Sequence, residues 1–152
     1  MPVRMRFAFY GEAQIDRTLE RFELGAQDAS PAWEKMAESF LRAERRQFKS
    51  EGAYASGGWA PLSPRYAAWK ATHYPGKPIL RRTDDLWRSL TTGPAIRYIS
   101  AHQMILGSDV EYGKYHQRGG PNLPRRRPIE LPESLRREWV KILQRFLATG
   151  RV

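Results

Sequence analysis

The 152-residue chain contains no cysteine. Disulfides, thiolate nucleophiles and Cys-ligated zinc are excluded at once. Long hydrophobic runs are missing as well. The longest, such as Phe7 to Tyr10, reach about four residues, far too short for a membrane span or a signal-peptide core. Synthesis inside a cell and no membrane partner are therefore expected. Histidine is scarce. His73, His102 and His116 fall in or near loops and turns, and no two stand at the i, i+4 spacing of a metal pair. Ser63, Ser89 and Ser108 lack the G-x-S-x-G context of an exposed nucleophile. Neither G-x-x-x-x-G-K-[ST] nor G-x-G-x-x-G occurs. Nothing assembles a nucleophile, a base and an orienting group. The expectation is a protein that is not an enzyme, with no metal, no cofactor and no small-molecule substrate.

Apolar residues make up 41% and charged residues 28%, which suits a folded domain and excludes a disordered or collagen-like chain. The length suits one domain over 1–152. Charge is unevenly placed. Residues 1–60 carry 9 basic and 9 acidic side chains, and residues 61–152 carry 17 and 7. The whole net charge of +10 thus lies in the second part. Arg outnumbers Lys by 20 to 6, and Arg is the better fork for carboxylate or phosphate. Three readings remain open at this point: nucleic acid, an acidic protein partner, or a solvated surface.

Val3 to Tyr10 alternates apolar and polar residues, the signal of a half-buried strand. Ile15, Leu19 and Phe22 then recur at helical spacing, with Gly25 placed to stop the helix. Ser30-Pro31 predicts the next helix start, Ser as cap and Pro at the first helical position. Trp33, Met36, Ala37, Phe40, Ala43, Glu44 and Phe48 trace one face to about Lys49. Residues 51–62 form a Gly-rich loop carrying Tyr54 and Trp59. It is either an exposed partner surface or a loop folded back over the core. A short helix follows Ser63-Pro64. Thr83 is read as the cap of another, with Asp84 and Asp85 in its first turn. Residues 95–100 and 103–108 predict a hairpin turning at Ala101-His102. A helical turn over 112–117 ends at Gly119-Gly120. Residues 118–127 include a loop, 127–131 a short edge strand around Pro128, and Pro132 opens a final amphipathic helix. The class is α+β: a small antiparallel sheet covered on one face by the long helices at 31–49 and 132–148.

Arg81-Arg82, Arg125-Arg126-Arg127 and Arg136-Arg137 are basic clusters. They fall on loops and helix ends, not on one recognition helix, and no DNA- or RNA-binding motif appears. Sequence-specific nucleic-acid binding is not expected. Non-specific binding by a basic protein is the alternative function, and steep salt dependence would mark it.

Several blocks recur in a telling order. Trp59-Ala60-Pro61-Leu62 is followed by Lys70, then Ile79-Leu80-Arg81-Arg82-Thr83 with Leu86 and Ser89-Leu90 behind it. Tyr112, His116-Gln117 and Gly119 come next, then Pro124-Arg125 to Ile129 before the terminal helix. Together they resemble the virion morphogenesis, or tail-completion, proteins of Mu-like tailed bacteriophages, over roughly residues 3–147. One departure is Asp84, where the family usually has Gly after the Thr. The resemblance implies a structural virion protein of the neck and tail. It would complete or terminate the tail and join it to the head-side connector, as a homo-oligomeric ring, expected as a hexamer, around the DNA channel. It implies connector and tail-tube partners, passive contact with genomic DNA at most, and assembly in the host bacterial cytoplasm. Loops 51–62 and 118–127 are the expected interface segments. Tyr54, Trp59, Arg125, Arg126 and Arg127 are the anchors, since aromatic residues and Arg dominate interface energies. Arg81, Arg82, His116 and Gln117 complete the interface set. For His116 and Gln117, hydrogen bonding to the nearby loop backbone is the competing role.

Overall fold

The computed structural model describes residues 12–152, and the strand expected over 3–10 lies outside the described residues. In chain order the elements are α1 (Glu12–Gln27), α2 (Ser30–Lys49), α3 (Ala53–Ser56), α4 (Pro64–His73), α5 (Asp85–Thr91), β1 (Ile96–Ile99), β2 (Met104–Gly107), α6 (Gly113–Arg118) and α7 (Glu133–Thr149). The class is α+β, as the sequence implies.

The spine is α2. Its buried face includes Ala32, Met36, Ala37, Phe40, Ala43, Glu44 and Phe48, close to the stripe expected from the 3.6-residue period. Its start differs in detail. The Ser30 hydroxyl caps nothing. Instead the Asp28 carboxylate accepts from the Ser30 amide at 2.9 Å and from its hydroxyl at 2.6 Å. Those bonds from Ser30 hold the Asp28 carboxyl below its ordinary range. Two buried clusters sit along α2. Near its N-terminus Ala29 and Ala32 meet Phe146 of α7, and toward its C-terminus Phe40 and Phe48 meet Trp59, Leu86 and Leu90. Each large side chain so enclosed contributes about 1.5–3 kcal/mol. Trp139 of α7 ties itself to the spine by donating from Nε1 to Ser39 Oγ at 2.6 Å.

Gly25 does not stop α1, which runs on to Gln27. Gly25 is buried against α7, where an added Cβ would stand 3.3 Å from Leu147 Cδ2. The residue is there for close helix approach, not for termination. The hairpin forms as expected: Ile96 pairs with Gly107 and Ile99 with Met104, and the Ser100 amide closes the turn on the Gln103 carbonyl. Its main helical support is α2, while α7 packs along α1 and α2. The expectation that both long helices cover the sheet therefore holds for α2.

No strand forms over 127–131. Side chains replace the ladder. Gln117 donates to the Ile129 carbonyl at 2.8 Å and accepts from the Ile129 amide at 3.2 Å. The Arg127 carbonyl accepts from Trp59 Nε1 at 2.9 Å and from Gln47 Nε2 at 3.3 Å. A backbone satisfied in this way needs no neighbouring strand.

Candidate functional site

The Gly-rich loop folds inward. Gly52 adopts φ +86°, and a Cβ there would overlap the Trp59 ring at 2.4 Å. That space lets Trp59 lie flat over the turn, with its ring edge-on to Phe48 at 5.3 Å. Trp59 is thus a core residue and not an exposed anchor. Of the two readings of this loop, folding back over the core is the one observed. Tyr54 remains half-buried, with the Arg46 guanidinium 4.9 Å from its ring centre.

The three consecutive arginines diverge. Arg126 is buried and clamps the other loop, donating from Nε to Ala60 O at 2.7 Å and from a terminal nitrogen to Pro61 O at 2.8 Å. Arg127 turns to Glu130 at 2.6 Å. Arg125 is exposed and reaches the Gln117 carbonyl at 3.3 Å. The two loops expected to face neighbouring subunits therefore bind each other, through Arg126 on one side and Trp59 on the other. The three arginines of this basic cluster do not act as one group, because each guanidinium finds a different partner.

The segment 80–84 is bounded by two left-handed residues, Leu80 at φ +59° and Asp84 at φ +67°. Such a conformation costs a non-glycine residue about 1–2 kcal/mol. Asp84, not Thr83, occupies the N-cap of α5 and gives no capping bond. Its carboxylate instead accepts from Arg81 Nε at 2.8 Å and from the Lys77 ammonium. The Arg81 bond, with Lys77 adding to it, overcomes the opposing effect of burial and holds the Asp84 carboxyl down at about 2. Arg81 also covers the Trp87 ring at 4.2 Å, while exposed Arg82 lies 5.9 Å from the centre of the Tyr74 ring.

These pieces enclose a cleft of about 650 Å³. One wall is α4 with Tyr66 and Lys70. The other is built from Leu80 to Arg82, Tyr112, His116, residues 122–124 and Arg126. The cations Lys70, Arg81, Arg82 and Arg126 line it together with His116, and no carboxylate does. Lys70 is the sole buried residue of α4, only 4% exposed, and its ammonium donates to the Pro78 carbonyl. Burial lowers the pKa of both Lys70 and Arg126, with Glu51 and Asp84 opposing it at Lys70. The His116 ring stands edge-on to Tyr112 at 6.2 Å, and its Nδ1 is enclosed without a hydrogen-bond partner. Burial, then the Arg126 charge, lowers its pKa. The competing role foreseen for Gln117 is the one seen, since it pins the 127–131 backbone. At His116 it is the main-chain carbonyl that bonds the loop, accepting from the Arg126 amide at 3.0 Å.

The sequence did not mark Lys70, Tyr66 or Tyr112 as site residues, because nothing in their spacing shows that α4 and α6 face one cleft. Among the described residues no group of His, Asp and Glu could hold a metal ion, and no helix is long and apolar enough to cross a membrane. What the cleft can do chemically is receive negative charge beside an apolar surface.

Residues 11–145 match the model of the phage virion morphogenesis family. The match spans most of the chain, and the chain belongs to this family. Comparison with curated proteins and with solved structures gives no match.

Proposed function

We propose that this member of the phage virion morphogenesis family is a structural, non-catalytic protein of the virion neck. It completes or terminates the tail and joins it to the head-side connector, as a homo-oligomeric ring around the DNA channel. Beyond the family match, one observation supports this reading: the chain exposes large apolar side chains at two unlike places. Leu19, Phe22 and Leu24 are 62%, 52% and 59% exposed on α1, and Tyr66 and Trp69 are each 39% exposed beside the basic cleft. Head-to-tail contacts between unlike surfaces close into a ring when the rotation permits. A hexamer assembled in the host cytoplasm, contacting connector and tail tube, fits that arrangement.

Electron microscopy of a lysate from a phage lacking this gene tests the proposal. DNA-filled heads separate from unattached tails are the expected result, and overlong tails would identify a terminator. Intact, normal particles would overturn it.

A further inference from the structure

Two features carry more than the proposed function has used: the enclosed carboxyl of Glu44 and the cationic cleft. The cleft leads further. Lys70 and Arg126 are 4% and 5% exposed and bond to carbonyls (Pro78, Ala60, Pro61); Glu51 and Asp84 act on Lys70 from behind the wall, and among the described residues no carboxylate lines the cleft itself. Arg82 adds an exposed cation at the rim. Buried charge of this kind is costly unless a counter-charge meets it. The walls also carry Leu62, Tyr66, Leu80 and Leu123, so the complementary surface combines carboxylates with apolar side chains.

Such a surface exists on the same chain. An α-helix turns about 100° per residue. On α1, Asp16, Glu20 and Glu23 fall on one stripe with Leu19, and all four are exposed. Gly25, nine positions after Asp16, falls half a turn away, on the face buried against α7. The stripe thus points away from its own protein. None of these four residues lines the cleft of its own chain.

We infer that the acidic stripe of α1 from one copy docks into the Lys70–Arg82–Arg126 cleft of a second copy, making the directional subunit contact of this protein. The inference rests on the proposed ring reading for its choice of a second copy as occupant. Duplex DNA is the less fitting occupant, because the cations lie in a cleft with apolar walls and not along an exposed ridge.

The absence of cysteine allows a direct test. Two full-length variants, Leu19→Cys on α1 and Ser63→Cys at the cleft, are mixed and oxidised at concentrations up to about 1 mM, where contacts with a Kd of about that value are populated. The Leu19–Ser63 heterodimer is expected to exceed both same-variant dimers at least about fivefold. Adding Arg82→Glu to the Ser63 chain should lower its yield about tenfold, and adding Glu20→Arg to the Leu19 chain should then recover it. Arg82 is exposed, so this substitution leaves the core intact, and unchanged circular dichroism checks that. Equal yields in all pairings, no heterodimer at the highest concentration, or indifference to both charge reversals would each overturn the inference. So would loss of the cross-link on adding an unrelated DNA duplex, which would assign the cleft to nucleic acid. None of these outcomes bears on whether the gene is needed for joined particles, which the lysate decides separately.

Discussion

Glu44 offers a clean quantitative test of this fold. It is 0% exposed on the core face of α2, and neither carboxylate oxygen has a hydrogen-bond partner. Burial pushes its carboxyl up from 4.5 to about 9. The native state therefore holds a proton that the unfolded state releases. For a raised acid, stability is fully present below the unfolded pKa and is lost as pH rises through the folded one. Across that window each step of one in pH removes about 1.4 kcal/mol. Between pH 5 and pH 8 the wild-type chain should lose about 4 kcal/mol through this group alone. Glu44→Gln has nearly the same shape and cannot ionise, so it should not show that loss. The useful quantity is the difference of differences: the stability of Glu44→Gln relative to wild type at pH 8, minus the same quantity at pH 5. It should be about +4 kcal/mol, because the constant cost of burying an amide cancels. Urea unfolding followed by tryptophan fluorescence measures it. Parallel stability curves for the two proteins across this range would refute the claim that Glu44 is neutral in the native core.

Two further predictions concern the site. Asp84→Asn keeps a residue that tolerates the left-handed backbone but removes the charge facing Arg81 and Lys77. It should cost about 2 kcal/mol at pH 7, from the depression of the Asp84 carboxyl to about 2. The sign is the usual acid one: the contribution is present above pH 3.8 and fades as pH falls through 2, so melting of the two proteins should converge in acid. Gly52→Ala adds both a left-handed penalty and a clash 2.4 Å from the Trp59 ring. It should destabilise by about 3 kcal/mol or more and shift the Trp59 emission, while melting like the parent would contradict the packing described.

Much of the scaffold is legible in the sequence because it rests on short-range periodicity. The stripe from Met36 to Phe48 and the β-branched and apolar residues on either side of the 101–102 turn specify a helix and a hairpin almost without tertiary context. What escapes is decided by distant partners. Gly25 reads as a stop signal, yet its size matters only because Leu147 approaches it from the far end of the chain. The segment 127–131 has strand-like residues, but Gln117, Gln47 and Trp59 satisfy its backbone from the side. Arg126 sits in a run of three arginines that composition treats alike, and only the folded loop at Ala60-Pro61 distinguishes it from Arg125. The site residues were therefore visible as residue types, and their division into structural clamps and exposed cations was not.

The helix α4 carries one last consequence. Its exposed aromatic side chains stack on one another, Tyr66 with Trp69 and Trp69 with His73, and its single enclosed side chain is a lysine held by the Pro78 carbonyl. A helix fastened by one ammonium and little apolar burial detaches at a small fraction of the global unfolding free energy. Its amide protons should exchange through that local opening before those of α2, as hydrogen exchange would check. Because α4 forms one wall of the cleft, such an opening would widen the cleft without disturbing the core.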